Sequence, residues 1–227
     1  MPEMFATGFS MNVGSISDDA ARETQNFLAR MAADYRVFML GGVVTSGADN
    51  KGRNECVVYS PAGEEIARYC KLHPFALGGE AEHYAAGALV QPFRLNEFTI
   101  APFICYDLRF PEIFRTAVQR GANLFTVIAS WPEARADHWM SLLKARAIEN
   151  QAYVVGVNRC GADPQLSYKG QSVIFDPHGR AVIEAGSEEC SISADLDLPA
   201  LIDYRQKLPF LRDIHKNYLD VPEPRVK

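Results

Sequence analysis

FTIAPFIC at residues 98–105, PEIFRTAVQRG at 111–121 and NLFTVIASW at 123–131 decide the fold. The first is an apolar run too short for a helix of ordinary length, and it reads as a buried strand ending at Cys105. In the second, Phe114, Ala117 and Val118 recur at i, i+3 and i+4, one face of a helix. Pro111 suits the first helical position and Gly121 stands where a helix stops. The third run repeats the character of the first. Strand, helix and strand therefore follow one another with short joins.

The same alternation extends both ways. Upstream, residues 18–33 predict a helix with Phe27, Leu28 and Met31 as its apolar stripe and Asp18 near its start. VFMLGGVV at 37–44 predicts a strand. ECVVYSPAGEEIARYCK at 55–71 predicts two strands joined through Ser-Pro-Ala-Gly. Downstream, residues 138–150 predict a helix with Asp137 as N-cap. AYVVGVN (152–158), a hairpin around Asp-Pro-His-Gly (172–185) and SISADLDL (191–198) follow. A short helical segment, LIDYRQKLPFLRDIHKN, spans 201–217. Helical and β-rich stretches alternate with hairpins inserted between them, which predicts an α/β fold with a mixed sheet covered by helices. Residues 1–227 read as one domain, with 220–227 as a flexible tail.

Composition narrows the function. Apolar residues make up 48% of the 227, enough for a sizeable core. The net charge of −5 argues against a nucleic-acid partner, since no basic surplus neutralises phosphates. The longest apolar runs fall short of a membrane span. Five cysteines, an odd number without a CxxC pair, and an N-terminus lacking an apolar signal segment point to a reducing cytoplasm rather than a disulfide framework. The histidines have no metal-ligand spacing, and no Walker loop, GxGxxG, HExxH or GxSxG occurs, so neither metal nor cofactor is expected.

Cys105 stands out because a thiol at the end of a buried strand, where a turn leads to a helix start, can serve as a nucleophile. Position alone equally allows a cysteine packed as a small hydrophobe. Lys71 ends another β-rich stretch, and Glu3 lies near the N-terminus. Spacing does not say whether the three meet. On the helix at 138–150, Arg146 shares a stripe with Trp139 and Leu143, and Glu149 at i+3 offers it a structural ion pair.

Taken in order, PEMFATGFSM (2–11), YCKLHPF (69–75), GGEAEHYAAG (78–87), PFICYDLRFPE (102–112), ASWPEARADHW (129–139), LLKARAIENQAYVVGVNRCG (142–161) and YKGQSVIFDPHG (168–179) resemble the nitrilase superfamily of carbon–nitrogen hydrolases. The likeness is closest to its bacterial omega-amidase branch. The resemblance implies an αββα sandwich and a Glu–Lys–Cys set: Glu3 from the PEMF motif, Lys71 from K-x-H and Cys105 from C-Y-D-x-R-F, with Glu80 as a supporting glutamate. It implies a small amide as substrate, one carrying a carboxylate such as 2-oxoglutaramate or succinamate, and assembly as a homodimer. The backbone N–H of Tyr106 would help hold the oxyanion, and Lys71→Ala should cripple the rate with folding intact. Trp131 and Arg135, just past a strand end, are the expected substrate contacts, with Arg109 as second choice for the carboxylate. Other branches acting on N-carbamoyl compounds or a deaminated glutathione, or an inactive scaffold, are the alternatives.

Family members begin with a strand, a helix and a strand ahead of the PEMF segment. The expectation is a chain shortened by roughly 30 residues, with Glu3 on a fraying segment and an unpaired sheet edge.

Overall fold

The computed structural model describes residues 1–18 and 21–215. The tail expected at 220–227, and the end of the segment at 201–217, lie outside them. In chain order the elements begin with α1 (Val13–Ile16), α2 (Glu23–Tyr35), β1 (Met39–Ser46), β2 (Gly52–Tyr59), β3 (Glu65–Cys70) and α3 (Glu80–His83). Then come β4 (Phe93–Leu95), β5 (Phe98–Ile104), α4 (Pro111–Gln119), β6 (Leu124–Ala129), α5 (Ala136–Asn150) and β7 (Tyr153–Asn158). A small hairpin, β8 (Cys160–Ala162) and β9 (Ser167–Lys169), leads to β10 (Val173–Phe175), β11 (Ala181–Glu184) and α6 (Leu198–Lys207).

Two sheets, with helices on their outer faces, form an αββα sandwich. One is antiparallel, in the order β1-β2-β3. The other has six strands in the order β11-β10-β7-β6-β5-β4, and its central pairs β5–β6 and β6–β7 are parallel. Those two parallel steps are crossovers through α4 and α5, as the pattern around residue 105 requires. Alternation along β2 divides its side chains. Val57 and Tyr59 pack with Leu28 and Ala32 of α2, whereas Cys56 joins Phe103, Phe125 and Phe114 in the main core. A buried leucine such as Leu28 contributes roughly 1.5–3 kcal/mol by leaving water.

Local signals explain most element ends. Pro111 opens α4, whose buried face is Ile113, Phe114, Ala117 and Val118. The Ser60–Gly63 turn closes through a 2.8 Å bond from the Gly63 N–H to the Ser60 carbonyl. Asp18 caps α2 from a distance, accepting the N–H groups of Thr24 and Gln25 at 3.0 and 2.9 Å. Two expectations need correction. Asp137 is not the N-cap of α5. Arg135 holds that position, because a 3₁₀ turn at Glu133–Arg135 runs straight into the helix, and Asp137 lies in its first turn, where the helix dipole favours a carboxylate. Residues 191–197 carry no regular element, and Asp197 caps α6 by accepting the Ala200 N–H at 2.8 Å. The helical segment breaks before Pro209, since a residue preceding proline avoids the helical region.

The expected fraying at the N-terminus is also overturned. The Met1 ammonium donates to the Leu40 carbonyl at 2.8 Å, and the Gly42 N–H donates to the Pro2 carbonyl at 3.2 Å. Further along, the Asp18 N–H donates to the Val44 carbonyl. The outer edge of β1 is thus engaged at three successive outward-facing positions. Gly42 makes the approach possible: a Cβ there would fall 2.5 Å from the Met4 nitrogen. Burial pulls the Met1 ammonium below its ordinary pKa.

Candidate active site

The C-terminal ends of the parallel strands converge on one place, where open α/β sheets hold their ligands. β5 delivers Cys105, β6 delivers Ser130 and Trp131, and β7 ends at Asn158. Asn158 ties two of these ends together, its side-chain oxygen accepting the Trp131 N–H at 2.7 Å and its amide donating to the Trp131 carbonyl at 3.2 Å.

Facing these ends, the charged groups come from the end of β3, the first residue of α3 and the N-terminal segment. Lys71 follows β3, and its ammonium donates to Glu3 Oε1 at 2.8 Å and to Glu80 Oε2 at 2.8 Å. All three side chains are buried, with Glu3 and Lys71 1% exposed and Glu80 not at all. Each carboxylate is further satisfied. The Ser130 N–H donates to Glu3 Oε2 at 2.9 Å, and the Phe75 N–H donates to Glu80 Oε2 at 2.6 Å. Asn54, on the β2 face turned to the second sheet, joins the set: its amide donates to Glu3 Oε1 at 2.7 Å and to Glu80 Oε1 at 2.8 Å. One ammonium and one amide therefore bridge two carboxylates, which offsets the surplus negative charge. Sequence reasoning missed Asn54. Only its place on an otherwise apolar β2 face could have drawn notice.

Electrostatics follow from burial and these partners. Burial alone would lower Lys71, but Glu3 and Glu80 outweigh it and hold the ammonium above the usual lysine range. Cys105 behaves oppositely. Burial first, then the negative Glu3, push its thiol well above the ordinary value, while Lys71 and the Ser130 backbone pull it back. The resting thiol is thus protonated at neutral pH, with a carboxylate and an ammonium both close enough to act on it electrostatically. Its backbone is unusual as well: φ is +46° at Cys105, a left-handed conformation that only glycine adopts freely. The residue starts a 3₁₀ turn, Cys105–Arg109, that precedes α4.

Cys105 borders a cleft of about 470 Å³, open solvent included. Tyr106, Trp131, Arg135 and Arg109 line it. The Trp131 indole N–H donates to the Arg135 carbonyl at 2.7 Å, fixing the loop that carries Arg135. The Arg135 guanidinium lies 5.9 Å from the Phe75 ring centroid, and that of Arg109 lies 4.8 Å from the Trp131 ring. Among the described residues, neither arginine is paired with a carboxylate. The β8–β9 hairpin, invisible in the sequence pattern, adds Leu166 and Tyr168 to the lining. Arg146 stands apart from the cleft, bonded to Glu149 at 2.9 Å and to the Leu108 carbonyl at 2.7 Å, which is the structural role expected of it.

The carbon-nitrogen hydrolase family matches residues 1–206, and the chain is a member of it. Its relatives within that family include amidases. It is 36% identical over 218 residues to the 2-oxoglutaramate amidase of Bacillus subtilis, covering 96% of this chain and 84% of that protein. It is 39% identical to the omega-amidase YafV of Yersinia enterocolitica, covering 95% and 83%. Among solved structures, a CN-hydrolase superfamily protein from Xanthomonas campestris with an arsenic adduct in its active site superposes with a TM-score of 0.89. The two share 32% identity, with 95% of this chain and 83% of that one covered. Nit3 of Saccharomyces cerevisiae, a nitrilase-superfamily member, gives 0.82 at 25% identity, with 92% and 79% covered.

Proposed function

We propose that the chain hydrolyses the terminal amide of a small carboxylate-bearing substrate, of the 2-oxoglutaramate or succinamate type, to carboxylate and ammonia. The observation that carries this is the burial of Glu3, Lys71 and Glu80 in direct contact beside the cleft that Cys105 borders. Because the thiol rests protonated, attack needs a base. Glu3 takes the Sγ proton as sulfur bonds to the amide carbon, and the electron pair of the carbonyl moves to oxygen. Lys71, held cationic by its carboxylates, stabilises that oxyanion together with the Tyr106 N–H, which has no intrahelical acceptor at the start of its turn. Glu3 then passes its proton to the departing nitrogen, releasing ammonia and leaving a thioester on Cys105. A water deprotonated by Glu3 attacks the thioester, and the thiol recovers the proton. Glu80 and Asn54 keep Glu3 and Lys71 in place.

The substrate class rests on two supports. The relatives named above are an omega-amidase and a 2-oxoglutaramate amidase, and the cleft carries two arginines that pair with no carboxylate among the described residues. Arg135 is assigned the substrate carboxylate, with Trp131 as a flat wall beside it. Homodimer assembly in the cytoplasm completes the reading, and sedimentation analysis tests the dimer. The decisive assay measures ammonia released from 2-oxoglutaramate and succinamate by the wild type and by Cys105→Ala. Release by the first and not the second is expected. Equal release by both overturns the mechanism.

A further inference from the structure

Asp107 belongs to the motif that carries Cys105, yet the reaction above gives it no task. Its carboxylate is wholly buried, accepts three donors and lies against an imidazole nitrogen. Oδ2 takes the backbone N–H of Ile104 at 3.1 Å and the Tyr69 hydroxyl at 2.7 Å. Oδ1 takes the backbone N–H of His73 at 3.0 Å, and the His73 Nδ1 lies 2.9 Å away. The His73 ring is itself stacked on Phe110 with centroids 3.7 Å apart. These partners have a telling arrangement. Ile104 directly precedes Cys105, while Tyr69 and His73 flank Lys71 two residues on either side. One carboxylate thus grips the strand end that presents the thiol and both shoulders of the loop that presents the ammonium.

We infer that Asp107 is a positioning residue that sets the separation and orientation of the Cys105 thiol and the Lys71 ammonium across the gap between the two sheets. The inference rests on the proposed roles of those two side chains. Three features argue for it beyond ordinary packing. Cys105 is held at positive φ, a conformation that persists only where surroundings over-determine it, and the Ile104 bond anchors the residue directly before it. The Ile104 bond caps the turn that Cys105 starts, but the Tyr69 and His73 bonds reach 38 and 34 residues away, and no local turn requirement accounts for those. A buried carboxylate is also a poor choice for stability alone, since its desolvation must be offset by every one of these bonds.

Asp107→Asn tests this, because it keeps the shape while turning one acceptor oxygen into a donor. Either Ile104 and Tyr69 or His73 then face an amide NH₂, and one side of the clamp opens. A displacement of about 1 Å at the reacting atoms lowers the rate about 100-fold. The expected result, measured well below the melting temperature, is a kcat reduced about 100-fold with KM near the wild-type value. Alkylation of Cys105 by iodoacetamide, followed by peptide mass spectrometry, should also change in rate. Tyr69→Phe removes one donor and leaves the carboxylate, so it keeps the variant series informative should Asp107→Asn fail to fold. It should reduce kcat about tenfold with KM unchanged. Wild-type kcat and wild-type Cys105 alkylation in a folded Asp107→Asn or Tyr69→Phe chain overturn the inference. So does a loss confined to melting temperature. The alkylation readout needs no amide substrate, so a wrong substrate assignment leaves the test of Asp107 intact.

Discussion

Replacing Lys71 with methionine removes the cation that both buried carboxylates bind. Two negative groups, each 1% exposed or less, then share the amide of Asn54 as their common donor. Removing one partner from a buried ion pair costs about 3–5 kcal/mol. For a chain of this size, each kcal/mol moves Tm by about 2–4 °C, so Tm should fall by about 10 °C at pH 7. The structure thereby revises the expectation that folding would be untouched. Adding Glu80→Gln should restore much of the stability at pH 7 while leaving turnover at least about 100-fold down, since the oxyanion donor is still missing. Thermal unfolding at pH 7, paired with ammonia release, reads both quantities. An unchanged Tm at pH 7, or wild-type turnover by Lys71→Met, refutes the reasoning.

Gly42→Ala places a methyl 2.5 Å from the Met4 nitrogen, so residues 2–4 must shift and take Glu3 with them. Activity should drop about 100-fold while circular dichroism stays native, and an active variant would show that Glu3 tolerates displacement. Arg135→Ala should raise KM for 2-oxoglutaramate about 10- to 100-fold with a smaller change in kcat, as expected for losing a charge-assisted contact. An unchanged KM in both Arg135→Ala and Arg109→Ala would refute carboxylate recognition by this cleft. Because the Cys105 thiol sits well above its ordinary value, its alkylation rate should keep climbing with pH past 9. A plateau at or below neutral pH would mean a preformed thiolate and would remove the need for Glu3 as base.

Sequence pattern revealed the frame because the frame obeys local rules. The apolar run ending at Cys105, the i, i+3, i+4 face of α4 and the Ser-Pro-Ala-Gly turn each carry their own cause within a few residues. The cap of α5 failed for the same reason turned around, since the preceding 3₁₀ turn decides where that helix begins. The β8–β9 hairpin has strands of three residues, too short for an alternating pattern to register. The site was legible only through family resemblance. Glu3 and Lys71 are 68 residues apart, and their contact depends on the pairing of β1, β2 and β3. Asn54 carries no motif at all. Its importance arises from two hydrogen bonds that exist only once Glu3 and Glu80 have been brought to it.

The left-handed backbone at Cys105 sets chemistry against comfort. A residue with a side chain held there forfeits about 1–3 kcal/mol that glycine would not. Selection for thermal endurance alone would erode this position first, so variants screened only for heat tolerance should be checked for catalytic silence. Hardening the protein is safer on the outer surface of α2, where no atom touches the cleft.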